Sequence, residues 1–134
     1  MAMTFRQLEV TKNIVWDPND QPKSALGDWY ERVRDIPIDE MKIGDICRTV
    51  RQLLYFEYVV PLAVELLEKE PLAGELYEGE LFMSFSSIKD GYWKSHPYLA
   101  ERISRFGNQV LAVLGGNLPT QGDIFYQRLQ SFLD

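Results

Sequence analysis

Apolar residues recur at three- and four-residue steps along most of the chain, and that period predicts amphipathic helices. The clearest run begins near Ile43. Ile46, Val50, Leu53, Leu54 and Val60 share one face with Tyr58 between them, while Arg48, Arg51 and Glu57 fall mostly on others. Asp45 in the first turn complements the positive end of the helix dipole. Pro61 has no amide hydrogen and its ring crowds the preceding turn, so a kink or a fresh helix start is expected there. Leu62, Val64, Leu66 and Leu67 continue the apolar face, Glu65, Glu68, Lys69 and Glu70 form the wet one, and Pro71 closes the element.

On the N-terminal side, Thr4 is placed to cap a short helix through Phe5, Leu8 and Glu9; Val10 to Trp16 reads equally well as extended. Residues 17–22 form a loop by composition, and Trp16 is expected to pack on the main body. Asp28 is the expected cap of a helix bearing Trp29 and Val33, which Pro37 ends. On the C-terminal side, residues 71–77 turn into a helix over 78–88 with Leu81, Phe82, Phe85 and Ile88 on one stripe. A strand is the alternative, because its serines and phenylalanines are poor helix formers. Asp90-Gly91 reads as a break that leaves Tyr92 and Trp93 in a loop. Pro97 opens the next helix, with Ser95 or His96 near its cap and Leu99, Ile103, Phe106, Val110, Val113 and Leu114 on its stripe. Gly115-Gly116 ends it, and Asp123 caps a last helix with Ile124, Phe125, Leu129, Phe132 and Leu133. The expectation is one compact all-α domain of five or six helices spanning residues 1–134, without repeats or a linker long enough to divide it.

At 134 residues, with 46% hydrophobic and 25% charged side chains, the chain can bury a core without disulfides or a metal. Cys47 is the one cysteine, which excludes an intrachain disulfide and points to a reducing compartment. No basic segment followed by an apolar run opens the sequence, so no signal peptide is expected. No bilayer-spanning stretch is expected either, since Glu57, Pro61 and Glu65 interrupt the longest apolar neighbourhood.

Charge narrows the field of partners. Twenty acidic residues against 14 basic ones leave a net charge of −6, which repels phosphate backbones and disfavours direct nucleic-acid binding. A basic protein partner is favoured by the same charge, which is also an ordinary solubility device. Residues 57–80 carry seven acidic side chains and one basic one, Lys69, with Tyr55, Tyr58 and Tyr77 in or beside the run. Tyrosine brings rigid contact area with a polar tip, and carboxylates steer a basic partner. Tyr55, Glu57, Glu65, Glu68, Glu75, Tyr77, Glu78 and Glu80 are therefore the candidate partner-binding residues. The competing reading is a solvated helix face with the tyrosines half in the core.

Catalytic chemistry finds little support. His96 is the single histidine and precedes a proline at a helix start, which suits a cap or surface residue. Cys47 sits beside Ile46 in the helical stripe and reads as a small buried hydrophobe. One histidine and one cysteine make no zinc site, and the glycines form no phosphate loop. The chain is thus expected to be no enzyme, with no catalytic, metal or cofactor site. The cluster Glu75, Glu78 and Glu80 leaves a metal-assisted enzyme as a third class. Arg48 and Arg51 are equally suited to internal ion pairs with those glutamates, fixing the helix–turn–helix arrangement.

Ile46-Cys47-Arg48, Val50-Arg51-Gln52, Tyr58-Val59-Val60-Pro61, Leu66-Leu67, Pro71-Leu72-Ala73-Gly74-Glu75 and Tyr77-Glu78-Gly79-Glu80-Leu81, in this order and spacing, resemble immunity proteins of bacterial contact-dependent growth inhibition systems. The likeness is greatest from Ile36 to Ile88, and Trp93 before a proline-started helix is also similar. The resemblance implies a cytoplasmic protector that binds and blocks a cognate toxin domain, often a nuclease with a basic substrate surface. It carries over no binding residue and leaves the oligomeric state open. A helical adaptor or regulatory protein without a toxin partner is the alternative.

Overall fold

The computed structural model describes residues 3–17 and 24–114. Among these residues the regular structure is entirely helical: α1 (Phe5–Thr11), α2 (Ala25–Val33), α3 (Ile43–Arg51), α4 (Phe56–Lys69), α5 (Glu80–Ser84), α6 (Asp90–Ser95) and α7 (Pro97–Leu114), with 3₁₀ turns at Ile38–Glu40 and Phe85–Ser87. The all-α expectation holds, with more and shorter helices than expected. The Gly115-Gly116 stop and the helix expected from Asp123 lie outside the described residues, as does most of the 17–22 loop.

Local chemistry accounts for most boundaries. Thr4 caps α1 in a full capping box with Gln7. Ser24, not Asp28, caps α2 by accepting the Gly27 amide at 2.9 Å, and Asp28 falls in the first turn. Pro97 occupies the first position of α7, where its missing N–H is harmless. Helix α1 ends in a Schellman motif. The Ile14 amide donates to the Glu9 carbonyl (2.8 Å) and the Asn13 amide to Val10 (3.2 Å), with Asn13 left-handed at φ 55°.

Three further boundaries differ from the sequence expectation. The long periodic run is two helices, and the break falls at residues 52–55 rather than at Pro61. Helix α3 ends in a second Schellman motif: Leu54 donates to Thr49 (3.2 Å) and Leu53 to Val50 (3.0 Å), with Leu53 left-handed at φ 58°. Tyr55 is left-handed too, at φ 47°, and α4 then runs through Pro61. Proline is accommodated because the carbonyl deprived of its donor belongs to Glu57, in the exposed first turn. Next, the helix expected over 78–88 starts at Glu80 and tightens to 3₁₀ after Ser84, whose hydroxyl donates to the Glu80 carbonyl at 2.8 Å. Finally, Asp90-Gly91 begins α6 instead of breaking the chain. The helix places Trp93 in the core, fully buried and edge-on to Phe85 at 6.0 Å.

Helix α3 packs on α5 and α4, and α4 on α7, which also receives α6. Ile46, Val50, Val60, Val64, Leu67, Leu81, Phe82, Phe85, Trp93 and Ile103 form the middle of the core. The N-terminal helices close one end. Phe5 stacks on Tyr30 (5.4 Å), meets Trp29 edge-on (6.3 Å) and leans on Tyr55 (5.2 Å). The segment before α1 is tied in where the Met3 amide donates to Tyr58 Oη at 2.8 Å.

Candidate protein-binding surface

The eight residues picked out by the sequence separate into two groups. Glu57 and Glu65 are exposed on α4, and Glu75, Tyr77 and Glu78 are exposed in the α4–α5 loop beside Leu76, which is 75% exposed. Tyr55, Glu68 and Glu80 are turned to internal work.

Glu80 is 1% exposed and sits beneath that loop. Its carboxylate accepts the Glu75 and Leu76 amides at 2.8 and 3.0 Å and Arg51 Nη1 at 2.8 Å. Burial pushes its pKa up, but the two amides and the arginine outweigh this and hold it below the usual glutamate range. Glu80 is thus removed from the candidate surface, and one of the internal pairs anticipated for Arg51 is present. The loop can wrap the carboxylate because Gly74 is bare: a β-carbon there would lie 2.1 Å from the Tyr77 carbonyl oxygen. Gly79, at φ 87°, turns the chain into α5. Glu75 rests its carboxyl against Gly44 in the first turn of α3, where a β-carbon would collide with it.

Glu68 is ion-paired with Arg102, tying α4 to α7, and Arg102 holds its pKa low. Tyr55 is half-buried, its hydroxyl 2.7 Å from that of Tyr30.

The cations explain why the outer carboxylates matter. Among the described residues, Arg6, Arg32, Arg34, Arg51, Arg102 and Arg105 pair with Asp35, Asp45, Glu9, Glu80, Glu68 and Glu101, and Arg48 lies over the Trp29 ring at 5.0 Å. Every described arginine is therefore engaged within the fold. Glu57, Glu65, Glu75 and Glu78 take part in no salt bridge among the described residues, and all four are exposed.

A second feature is largely apolar. The α3–α4 joint separates two grooves. The first, about 640 Å³, lies between α2 and the joint, with Ile14, Trp16, Leu26, Tyr30, Leu53, Leu54, Tyr55 and Phe56 among its walls. The second, about 470 Å³, runs from the joint to α6 and is lined by Ile88, Tyr92 and His96 among others. Leu53, Phe56 and Glu57 belong to both. Sequence reasoning found Tyr55 and Glu57 but missed the apolar walls, because Trp16, Leu26 and Leu53 come from three separate segments and meet only in the fold.

The chemistry considered for an enzyme is dispersed. Cys47 is fully buried, and burial first, then the Glu80 charge, pushes its thiol up to about 12. His96 is exposed, stacked on Tyr92 at 4.2 Å with Nδ1 2.9 Å from the Tyr92 carbonyl. Among the described residues no three His, Cys, Asp or Glu side chains gather as a metal site. No helix among them is long and apolar enough to cross a membrane.

A family model described as CDI immunity proteins matches residues 10–103, more than half of the chain. No curated protein matches the chain.

Proposed function

The chain belongs to the family of CDI immunity proteins, and from that premise we propose that it binds a cognate toxin domain in the cytoplasm, one to one, and blocks it. The toxin is proposed to be a nuclease whose basic substrate surface meets the acidic side of this protein. The observation that carries the reading is the asymmetry of charge: the described arginines are engaged within the fold while Glu57, Glu65, Glu75 and Glu78 are exposed and form no salt bridge among the described residues. Such a surface accelerates encounter with a basic partner and repels the nucleic acid that competes for it. Tyr77, 44% exposed beside Glu75 and Glu78, supplies contact area within the same loop.

Co-expression with the toxin domain encoded immediately upstream tests the role: rescue of growth and a stable purified complex are expected. Reversing Glu65, Glu75 and Glu78 to lysine together tests the surface. Association measured by stopped flow at low salt should slow by about 10- to 100-fold and lose most of its salt dependence, with a smaller change in dissociation. Unaltered association by folded variants would remove the acidic surface from the interface. Failure of both rescue and complex formation, with both proteins folded, would return the chain to a helical adaptor.

A further inference from the structure

Leu53 occupies a position that its own fold does not reward. It is the residue after the cap of α3, left-handed at φ 58°, where glycine closes a Schellman motif without strain. Tyr55 is equally strained, but its ring packs on Phe5 and its hydroxyl meets Tyr30, so the interior compensates it. Leu53 is not among the residues packed against the core. Its side chain is 37% exposed and forms a wall of both grooves. Strained backbone recurs at ligand-binding sites. Ile14 and Leu26, 45% and 38% exposed, extend the apolar surface in the first groove.

Charge orders this surface. Glu57 is the carboxylate common to both grooves, while Lys12 belongs to the first alone and Lys89 to the second alone. The complementary ligand has a cation at the centre and apolar groups to either side. We propose that the grooves flanking the α3–α4 joint are the anchor of the toxin interface and receive two apolar side chains of the toxin domain, on either side of a lysine or arginine that meets Glu57. This rests on the toxin-binding role proposed above and adds the site and chemistry of the strongest contacts. Anchors of this kind, apolar pockets around a central charge, concentrate binding energy in few residues.

Leu53→Gly separates binding from folding, because glycine suits the backbone there. Full-length wild type, L53G, L26Q and V15Q would be titrated calorimetrically with the purified upstream toxin domain and melted in parallel. L53G is expected to melt within about 5 °C of wild type and to bind about thirtyfold or more weakly. L26Q alters the first groove alone, with an expected loss of about fivefold. Val15 is 93% exposed but lines neither groove, and V15Q should bind as wild type does. Wild-type affinity in L53G and L26Q would overturn the anchor and leave the immunity role standing; should L53G not fold, L26Q decides alone. No binding by the wild type overturns both. Wild-type dimers in sedimentation that L53G converts to monomers would assign the grooves to a second copy of this chain and overturn the proposal.

Discussion

Replacing Glu80 with alanine is expected to destabilise the fold by about 3–5 kcal/mol, the range for removing one partner of a buried ion pair, and this is the largest single effect anticipated. The carboxylate is the hub on which the α4–α5 loop is wound: two backbone amides and Arg51 converge on it from the loop and from α3. Alanine leaves the Glu75 and Leu76 amides without their acceptor and Arg51 without its partner. Glutamine keeps the shape and one acceptor oxygen, so E80Q should lose roughly half as much. Urea unfolding followed by circular dichroism measures both. The pH dependence has a definite sign. The folded-state pKa of Glu80 lies below its ordinary value of 4.5, so the unfolded chain takes up this proton more readily. Its stabilising contribution is complete above that ordinary value and fades as pH falls through the folded one. Wild type should therefore lose stability more steeply than E80Q below about pH 5. Because Glu80 is buried, toxin binding by E80Q well below its melting temperature should match wild type. A loss of affinity without a loss of fold would return this residue to the interface.

Glu9→Ala is expected to cost about 3–4 kcal/mol for the same class of reason. Glu9, on α1, is 4% exposed and accepts from Arg34 Nη2 (2.5 Å), Arg34 Nε (3.2 Å) and Tyr30 Oη (2.6 Å). Tyr30 has a single hydroxyl hydrogen and spends it on Glu9, so Tyr55 donates in the 2.7 Å contact between the two tyrosines. Burial and the Glu9 bond both hold Tyr30 protonated far above the ordinary tyrosine range. For Glu9 itself, burial pushes the pKa up, yet the Arg34 and Tyr30 hydrogen bonds prevail and lower it. Its contribution, like that of Glu80, is present above the ordinary glutamate range and lost in acid. Deleting the carboxylate strands Arg34, whose side chain is 11% exposed, beneath Trp16. Tyr55→Phe removes only the outermost bond and should cost about 1 kcal/mol. Thermal melts of E9A, Y55F and the double variant give the coupling. Additive losses would show that the chain of bonds does not act as a unit.

Much of the fold was legible because its signals are local. The three- and four-residue apolar period marks the helical run that α3 and α4 divide between them, and α7, and Thr4 and Pro97 mark helix starts through chemistry confined to one turn. Charge also reads directly from composition, and together with the ordered motifs from Ile36 to Ile88 it suits an acidic partner of a toxin. The misplaced features have two causes: a backbone state that the residue type conceals, and determinants that lie far apart in sequence. Leu53 ends α3 in a backbone state that a leucine does not advertise, so the sequence points to a break at Pro61, the visible helix breaker. Asp90-Gly91 usually turns the chain and so predicts a loop at Trp93, whereas burial against Phe85 draws those residues into α6. Glu80 and Glu78 look alike in sequence, two residues apart in an acidic run. Only the approach of Arg51 and two loop amides makes one an internal hub and leaves the other for solvent or a partner. The sequence by itself determined the helical class, the charge and the family likeness, since period, composition and motif order survive without coordinates. Which carboxylates face outward, and that Trp16, Leu26 and Leu53 share a groove, was decided by tertiary structure alone, because burial and pairing depend on which distant segments meet.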